Sequence, residues 1–326
     1  MPEIAIITTG GTIAMVRDPS TGASVPASGM NVHVAEVDGL SAIAKIRHYD
    51  FSNVPSPYMT PSMLWNLSRL VNDILKDENI DGVVITHGTD TLEETAYFLD
   101  LTVQSDKPVV CTAAMRNINE LGTDGPRNVV SSVKVALSPA SRGLGTLVCL
   151  NDEIHAAKEV TKTYTSNVAT FDSPGYGPLG IVDEDKVVYF RRLYYRENYR
   201  VRFIEENVAL IKTFVGDDGR IIEKLPELGY KGLVIEAFGR GNVPPKVEDA
   251  LKVLIKDLSF PVVITSRCFK GRVLGIYGYK GGGRSLQDLG VIFAPGLSSQ
   301  KARIKLMVVM GLTDDLTKIA EYFQHS

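Results

Sequence analysis

Two stretches of this chain run an unbroken apolar, β-branched segment straight into a turn of glycine and threonine, and then into a helix start. One is Gly82-Val83-Val84-Ile85-Thr86-His87-Gly88-Thr89-Asp90-Thr91-Leu92-Glu93-Glu94-Thr95; the other is Ile4-Ala5-Ile6-Ile7-Thr8-Thr9-Gly10-Gly11-Thr12-Ile13-Ala14. Similar short runs recur at Ile4–Thr8, Val83–Thr86, Val109–Thr112, Thr146–Leu150, Val208–Ile211, Leu233–Ala237, Val262–Thr265 and Val291–Ala294, several of them separated by helical patterns. The clearest helix takes Thr60 as N-cap and Pro61 at its first position. It then sets Met63, Leu64, Leu67, Leu70, Val71, Ile74 and Leu75 on one face. Apolar strands alternating with amphipathic helices predict an α/β protein with a mainly parallel sheet.

The alternation lapses at Lys186–Glu206, which is charged and aromatic, and resumes with Val208–Ile211, Leu233–Ala237 and the helical pattern Val247–Leu258. At 326 residues the chain is long enough for two cores. The expected division is a larger N-terminal domain over residues 1–188, a linker over 189–206 and a smaller C-terminal α/β domain over 207–326. No repeat is evident, and Gly281-Gly282-Gly283 reads as a loop.

A net charge of −3 creates no field for nucleic acid or anionic lipid. The expected partner is a small molecule or a second copy of the chain, with no nucleic acid and no membrane. The basic run Arg191-Arg192-Leu193-Tyr194-Tyr195-Arg196 reads as a solvated linker or subunit contact. Cys111, Cys149 and Cys268 show no paired metal or redox spacing and read as reduced core residues. A core strand by Ile4, with no secretion-type segment before it and no apolar run approaching roughly 18 residues, sets the expectation of a cytoplasmic protein.

Ligands of open α/β sheets bind beyond the carboxyl ends of the strands, which collects Thr12, Thr89-Asp90 and the residues after Leu150 at one edge. A threonine hydroxyl is a poor nucleophile at neutral pH and needs a proton acceptor and a place for the oxyanion. Thr12 follows Gly10-Gly11, whose amides are placed to face a ligand; the alternative is a turn that merely needs glycine. Asp90 and Thr91 precede Glu93 and Glu94 by three residues, so this segment also reads as a pair of capping boxes. Lys162, among small hydroxyl residues in Glu159-Val160-Thr161-Lys162-Thr163-Tyr164-Thr165, would exchange charge or a proton with Thr89 if desolvated near Asp90. The alternative is an ordinary surface lysine. His87 reads as a satisfied strand-end residue rather than a base, and the histidines show no metal-ligand spacing, so neither metal nor cofactor is expected.

Thr9-Gly10-Gly11-Thr12-Ile13-Ala14, His87-Gly88-Thr89-Asp90-Thr91, Ala114-Met115-Arg116, Asp124-Gly125-Pro126 and Val160-Thr161-Lys162-Thr163, taken in order, resemble the bacterial-type L-asparaginase/glutaminase family. The likeness continues through Tyr176-Gly177-Pro178-Leu179-Gly180 and Gly239-Arg240-Gly241-Asn242 to Gln300-Lys301-Ala302-Arg303. It implies a flavodoxin-like N-terminal domain, a smaller C-terminal domain, and active sites formed between subunits of a homodimer, often paired into a homotetramer. The implied reaction is hydrolysis of L-asparagine to L-aspartate and ammonia, with some glutaminase activity. By resemblance Thr12 is the nucleophile, and Thr89, Asp90 and Lys162 are the second threonine with the acid and lysine that orient it. Ser56 grips the substrate α-carboxylate. Gly11, Gly88 and Ala114 give backbone contacts, and Asn242 comes from the neighbouring subunit.

Three positions depart from that pattern. The loop Met15–Asn31 has no aromatic residue where relatives carry a tyrosine; Ser24 falls near that position, and Tyr58, Tyr277 or Tyr279 are candidate substitutes. Pro57 follows Ser56 where a glutamine is usual, and Tyr277–Ser285 holds no acidic residue where a glutamate is common. An ammonium left without acceptors pays its desolvation uncompensated, so these changes bear on the substrate more than on amide hydrolysis. Two alternatives therefore accompany the leading reading: an amidase of altered substrate, and a non-catalytic amino-acid sensor or binding protein on the same scaffold. An ammonia-passing amidotransferase subunit is disfavoured, because those relatives carry an N-terminal extension and the core strand here begins at Ile4.

Overall fold

The apolar runs become strands, as their β-branched content requires, and the first sheet buries them almost completely: Ile4, Ala5, Ile6, Ile7, Val83, Val84 and Ile85 are all fully inaccessible. The structure is a computed structural model that describes residues 1–18, 20–21, 24–26, 37 and 39–324. Its chain separates into two units, Met1–Asn198 and Tyr199–Ser326.

The first unit holds β1 (Glu3–Thr8), β2 (Met15–Arg17), β3 (Ser24–Pro26), β4 (Lys45–Asp50), β5 (Ile80–Thr86), β6 (Val109–Thr112), β7 (Thr146–Leu150), β8 (Glu153–Ala156), β9 (Thr161–Lys162), β10 (Phe171–Asp172), β11 (Gly180–Asp183) and β12 (Lys186–Tyr189). Eight of these form one sheet in the order β12-β11-β8-β7-β6-β5-β1-β4. Strands β4, β1, β5, β6 and β7 are parallel. Strands β8, β11 and β12 run antiparallel as an edge. Lys186–Tyr189, read from sequence as outside the alternation, is that outermost edge strand. Helices Pro61–Ile74 and Leu92–Thr102 and helix Gly125–Leu137 supply the covering layers, giving separate apolar clusters on the two sheet faces. Thr60 caps the first of these helices, accepting from Met63 N at 3.2 Å, with Pro61 at the position where a missing N–H costs nothing.

In this order β1 lies between β4 and β5. The chain leaves β1 toward one side and then crosses to the other, so the sheet switches direction between β1 and β5. The carboxyl ends of two such strands diverge into a crevice, and the two Gly–Thr turns emerge there.

The second unit holds β13 (Val208–Lys212), β14 (Gly232–Ala237), β15 (Val262–Ser266) and β16 (Ile292–Phe293), all parallel and in sequential order. Helix Pro245–Lys252 continues into a wider π turn, Val253–Asp257, and helix Ser299–Val309 is buried along most of its length.

The basic run is solvated only in part: Arg192, Tyr194 and Tyr195 are exposed, but its first and last arginines are paired. Arg191 pairs with Glu159 at 2.6 Å, and Arg196 pairs with the buried Asp100 at 3.0 Å, both inside the first unit. Cys111 and Cys149 lie in the core, where burial pushes the Cys149 thiol up to about 12 and the Cys111 thiol higher still. Cys268 is exposed, contrary to the core assignment, because it falls in the loop after β15 rather than in the strand.

Candidate active site

The parallel register aligns Thr8 of β1 with Thr86 of β5, so the two turns begin level with each other. Thr9 N donates to Thr86 O at 3.1 Å, and the Thr9 hydroxyl donates to the same carbonyl at 3.0 Å. Val54 N then donates to Thr9 O and Gly11 N to Val54 O, each at 3.1 Å, which staples the first turn to the segment after β4. The Gly11 amide is therefore spent on Val54 O. What the glycines contribute is closeness. Gly10 and Gly11 sit at φ 106 and 83°, and a Cβ on Gly11 would lie 2.3 Å from Gly88 Cα. Gly88 in turn backs onto Ser56: a Cβ there would lie 2.7 Å from the serine Cβ and Oγ.

Thr12 opens the short helical turn Thr12–Ala14, half-buried, directly after this contact. Thr89 is buried and directly follows Gly88. Lys162, on β9, reaches both neighbours of that turn: Nζ donates to Thr89 Oγ1 at 2.9 Å and to Asp90 Oδ1 at 2.7 Å. Its side chain is 16% exposed, against 60% for Asp90, so the reading of Lys162 as an ordinary surface lysine is overturned. An amine held between an alcohol and a carboxylate gives the alcohol a neighbour with which to exchange a proton, and the carboxylate keeps the amine in place.

The two capping boxes do not form. The Thr91 hydroxyl makes no cap and donates to Ser56 O at 2.9 Å, and the Glu93 carboxylate accepts from Thr161 at 3.0 Å. Tertiary partners outcompete the local ones. Thr91 thereby locks Ser56, itself buried, beside Gly88.

His87 is satisfied. It is fully buried, which lowers its pKa to about 4 and keeps the ring neutral. Since Gly88 O can only accept, Nδ1 carries the proton and donates to it at 2.8 Å, leaving Nε2 to accept from the Thr95 hydroxyl at 3.0 Å.

Ala114 is buried in the turn after β6. Asp124, whose role the sequence left open, holds that turn by accepting from Met115 N and Arg116 N at 3.0 and 2.9 Å. Asn128, missed in the sequence, donates to Ala113 O at 2.9 Å and accepts from Asn151 N at 2.9 Å, tying together the ends of β6 and β7. An amide residue one turn into a helix after Asp-Gly-Pro was the available signal.

The first unit thus gathers Gly11, Thr12, Ser56, Gly88, Thr89, Asp90 and Lys162, with Ala114 one strand further along. Asn242 belongs to the second unit, where its Oδ1 accepts from Gly283 N at 3.1 Å and holds the glycine loop. Of the candidate tyrosines, Tyr58 is exposed in the turn Ser56–Tyr58, while Tyr277 and Tyr279 lie in the second unit with ring centroids 5.7 Å apart. Ser24 starts β3, paired with β2; its side chain lies outside the described residues, as does much of Met15–Asn31. Among the described residues no group of three or more His, Cys, Asp and Glu side chains is arranged to hold a metal, and no helix is long and apolar enough to cross a membrane.

Fold and turns together define an α/β protein of two units, one on a mainly parallel and one on a wholly parallel sheet, with a hydroxyl–amine–carboxylate centre at the switch point of the larger one. Residues 3–195 match the family described as asparaginase, N-terminal, and residues 207–323 match the glutaminase/asparaginase C-terminal domain. The chain is 37% identical over 308 residues to the L-asparaginase of Bacillus licheniformis, covering 94% of this chain and 95% of that one. It is 32% identical to the glutaminase-asparaginase of Acinetobacter glutaminasificans, covering 98% of each. A crystal structure of a probable cytoplasmic L-asparaginase from Campylobacter jejuni superposes with a TM-score of 0.88 at 35% identity, over 99% of both chains. The chain belongs to the asparaginase family.

Proposed function

We propose that this chain is an L-asparaginase that hydrolyses the side-chain amide of L-asparagine to L-aspartate and ammonia, and L-glutamine more slowly. The observation that carries the reading is the Lys162 bridge, with Nζ 2.9 Å from Thr89 Oγ1 and 2.7 Å from Asp90 Oδ1 beside the Thr12 turn. Thr12 Oγ attacks the amide carbon, backbone N–H groups of the Gly88–Thr89 turn hold the oxyanion, and the hydroxyl proton passes to the departing nitrogen as the C–N bond breaks. Thr89, with Lys162, orients the water that cleaves the aspartyl ester and returns a proton to Thr12. Ser56 takes the α-carboxylate and Asp90 the α-ammonium, with Gly11, Gly88 and Ala114 shaping the pocket. Asn242 acts from a second copy in a homodimer or homotetramer, and the enzyme works in the cytoplasm.

A second reading, an amidase of altered substrate, is favoured by Pro57. It lies in the turn Ser56–Tyr58, directly after Ser56, and offers a substrate ammonium no side-chain acceptor. Ammonia release across L-asparagine, D-asparagine, L-glutamine and α-amino-blocked amides separates the two. Turnover of L-asparagine that is lost in Thr12→Ala supports the first reading. Turnover only of blocked amides supports the second, and ligand-stabilised melting without ammonia would mean a binding protein.

A further inference from the structure

Lys162 is carried by a strand too short to hold it unaided. β9 is two residues long and, among the described residues, pairs only with the two-residue β10. A lysine stem of four carbons loses much rotamer freedom when its ammonium is fixed on two acceptors, so something must hold the backbone from which it projects. Glu93 does this. Its Oε1 accepts from Thr161 Oγ1 at 3.0 Å and from Lys162 N at 3.3 Å, and the residue is 5% exposed. Glu93 stands in the first turn of helix Leu92–Thr102, where a carboxylate also suits the helix dipole. One side chain thus joins the helix start that follows Thr89 and Asp90 to the strand that presents Lys162. The same end of the ribbon is also tied through its other strand, by Ser173 Oγ against His155 Nδ1 at 3.0 Å, while the far end is closed by Thr163 N donating to Thr170 O at 2.7 Å.

We propose that Glu93 is a positioning residue: its carboxylate fixes β9 against the helix start so that the Lys162 amine bridges Thr89 and Asp90, and it sets the rate through Lys162 without touching substrate. This rests on the role given to Thr89 and Lys162 under the proposed function. An error of about 1 Å in placing such a group costs about 10²-fold in rate, and that is the loss expected in kcat for Glu93→Ala, with KM little changed. Glu93→Gln keeps an acceptor at the same reach and retains most of the activity.

The deciding experiment is a double-mutant cycle on kcat with Glu93→Ala and Lys162→Ala, alongside hydrogen exchange at the Lys162 amide. The proposal expects the double variant to be no slower than Lys162→Ala alone, and the Lys162 amide to lose protection in Glu93→Ala. Additive losses, or an unchanged Lys162 amide, would overturn the positioning role. Lys162→Ala at the native rate would instead overturn the role of Lys162 itself, so the two failures are distinguishable. Should Glu93→Ala not fold, Thr161→Val removes one of the two hydrogen bonds and takes its place in the cycle, with a several-fold loss expected.

Discussion

Both sheets present a ledge at the carboxyl ends of their parallel strands, yet the two ledges differ in how they are closed. On the larger sheet the turns after β1 and β5 press backbone to backbone at Gly11 and Gly88, Ser56 closes the far side, and Lys162 reaches in from β9 to the Thr89 hydroxyl. On the smaller sheet the turns after β14 and β15 touch more loosely. Ser266 Oγ donates to Gly239 O at 2.6 Å, and the Arg267 guanidinium sits 4.8 Å over the Phe238 ring. A Cβ at Gly239 would meet nothing within 4 Å. A parallel sheet supplies the ledge; chemistry needs glycines that let two turns abut, and a charged group brought from a third element.

The largest effect expected from this contrast is in turnover. Thr12→Ala and Thr89→Val each lower kcat by at least about 10³-fold, as loss of a nucleophile or its activator does, with the melting temperature and circular dichroism retained. More than about a tenth of native activity in either variant would remove that threonine from its assigned role.

Next in size is the abutment itself. Gly88→Ala forces a Cβ to 2.7 Å from Ser56 Cβ and Oγ, with little room to move, and is expected to cost about 1–3 kcal/mol together with most of the activity. Gly239→Ala meets no neighbour and costs only the strain of a residue at φ 48°, about 1 kcal/mol. Denaturant melts of the two variants check the order; equal costs would break the contrast.

Acid sensitivity should reside in the first unit, which contains His87. Its folded pKa, about 4, lies below the unfolded value of 6.5, so the unfolded chain takes up the proton first. Stability is whole above pH 6.5 and is lost as pH falls toward 4, on the order of 3 kcal/mol if the full shift is realised. Urea melts between those limits should show a shallower loss in His87→Gln. The smallest effect concerns Cys268, which is exposed: Cys268→Ser shifts stability by less than about 0.5 kcal/mol. A thiol reagent should modify Cys268 in the native protein and reach Cys111 and Cys149 only on unfolding.

Much of this was legible in the chain because the residues concerned act locally. The apolar runs mark their strands, Thr60-Pro61 marks a helix start, and the ordered blocks around Thr12, Thr89 and Lys162 mark the site. What escaped is tertiary. The spacing of Asp90-Glu93 and Thr91-Glu94 reads as helix capping, but Ser56 and Thr161, distant in sequence, take over the hydrogen bonds of Thr91 and Glu93. Gly11 reads as an amide donor until Val54 is seen to accept from it. The basic run at Arg191–Arg196 reads as solvated because nothing nearby in sequence pairs with it; Glu159 and Asp100 do so across the fold.

The central claim is that the turn after β1 supplies the nucleophile and the turn after β5 supplies the group that clears it. Acid quenching of the Thr89→Val variant with L-asparagine, followed by peptide mass mapping, tests this most directly. The account predicts an aspartyl ester accumulating on the peptide that carries Thr12, at Thr12 itself. An ester elsewhere, or ammonia release by Thr12→Ala at the native rate, would contradict it.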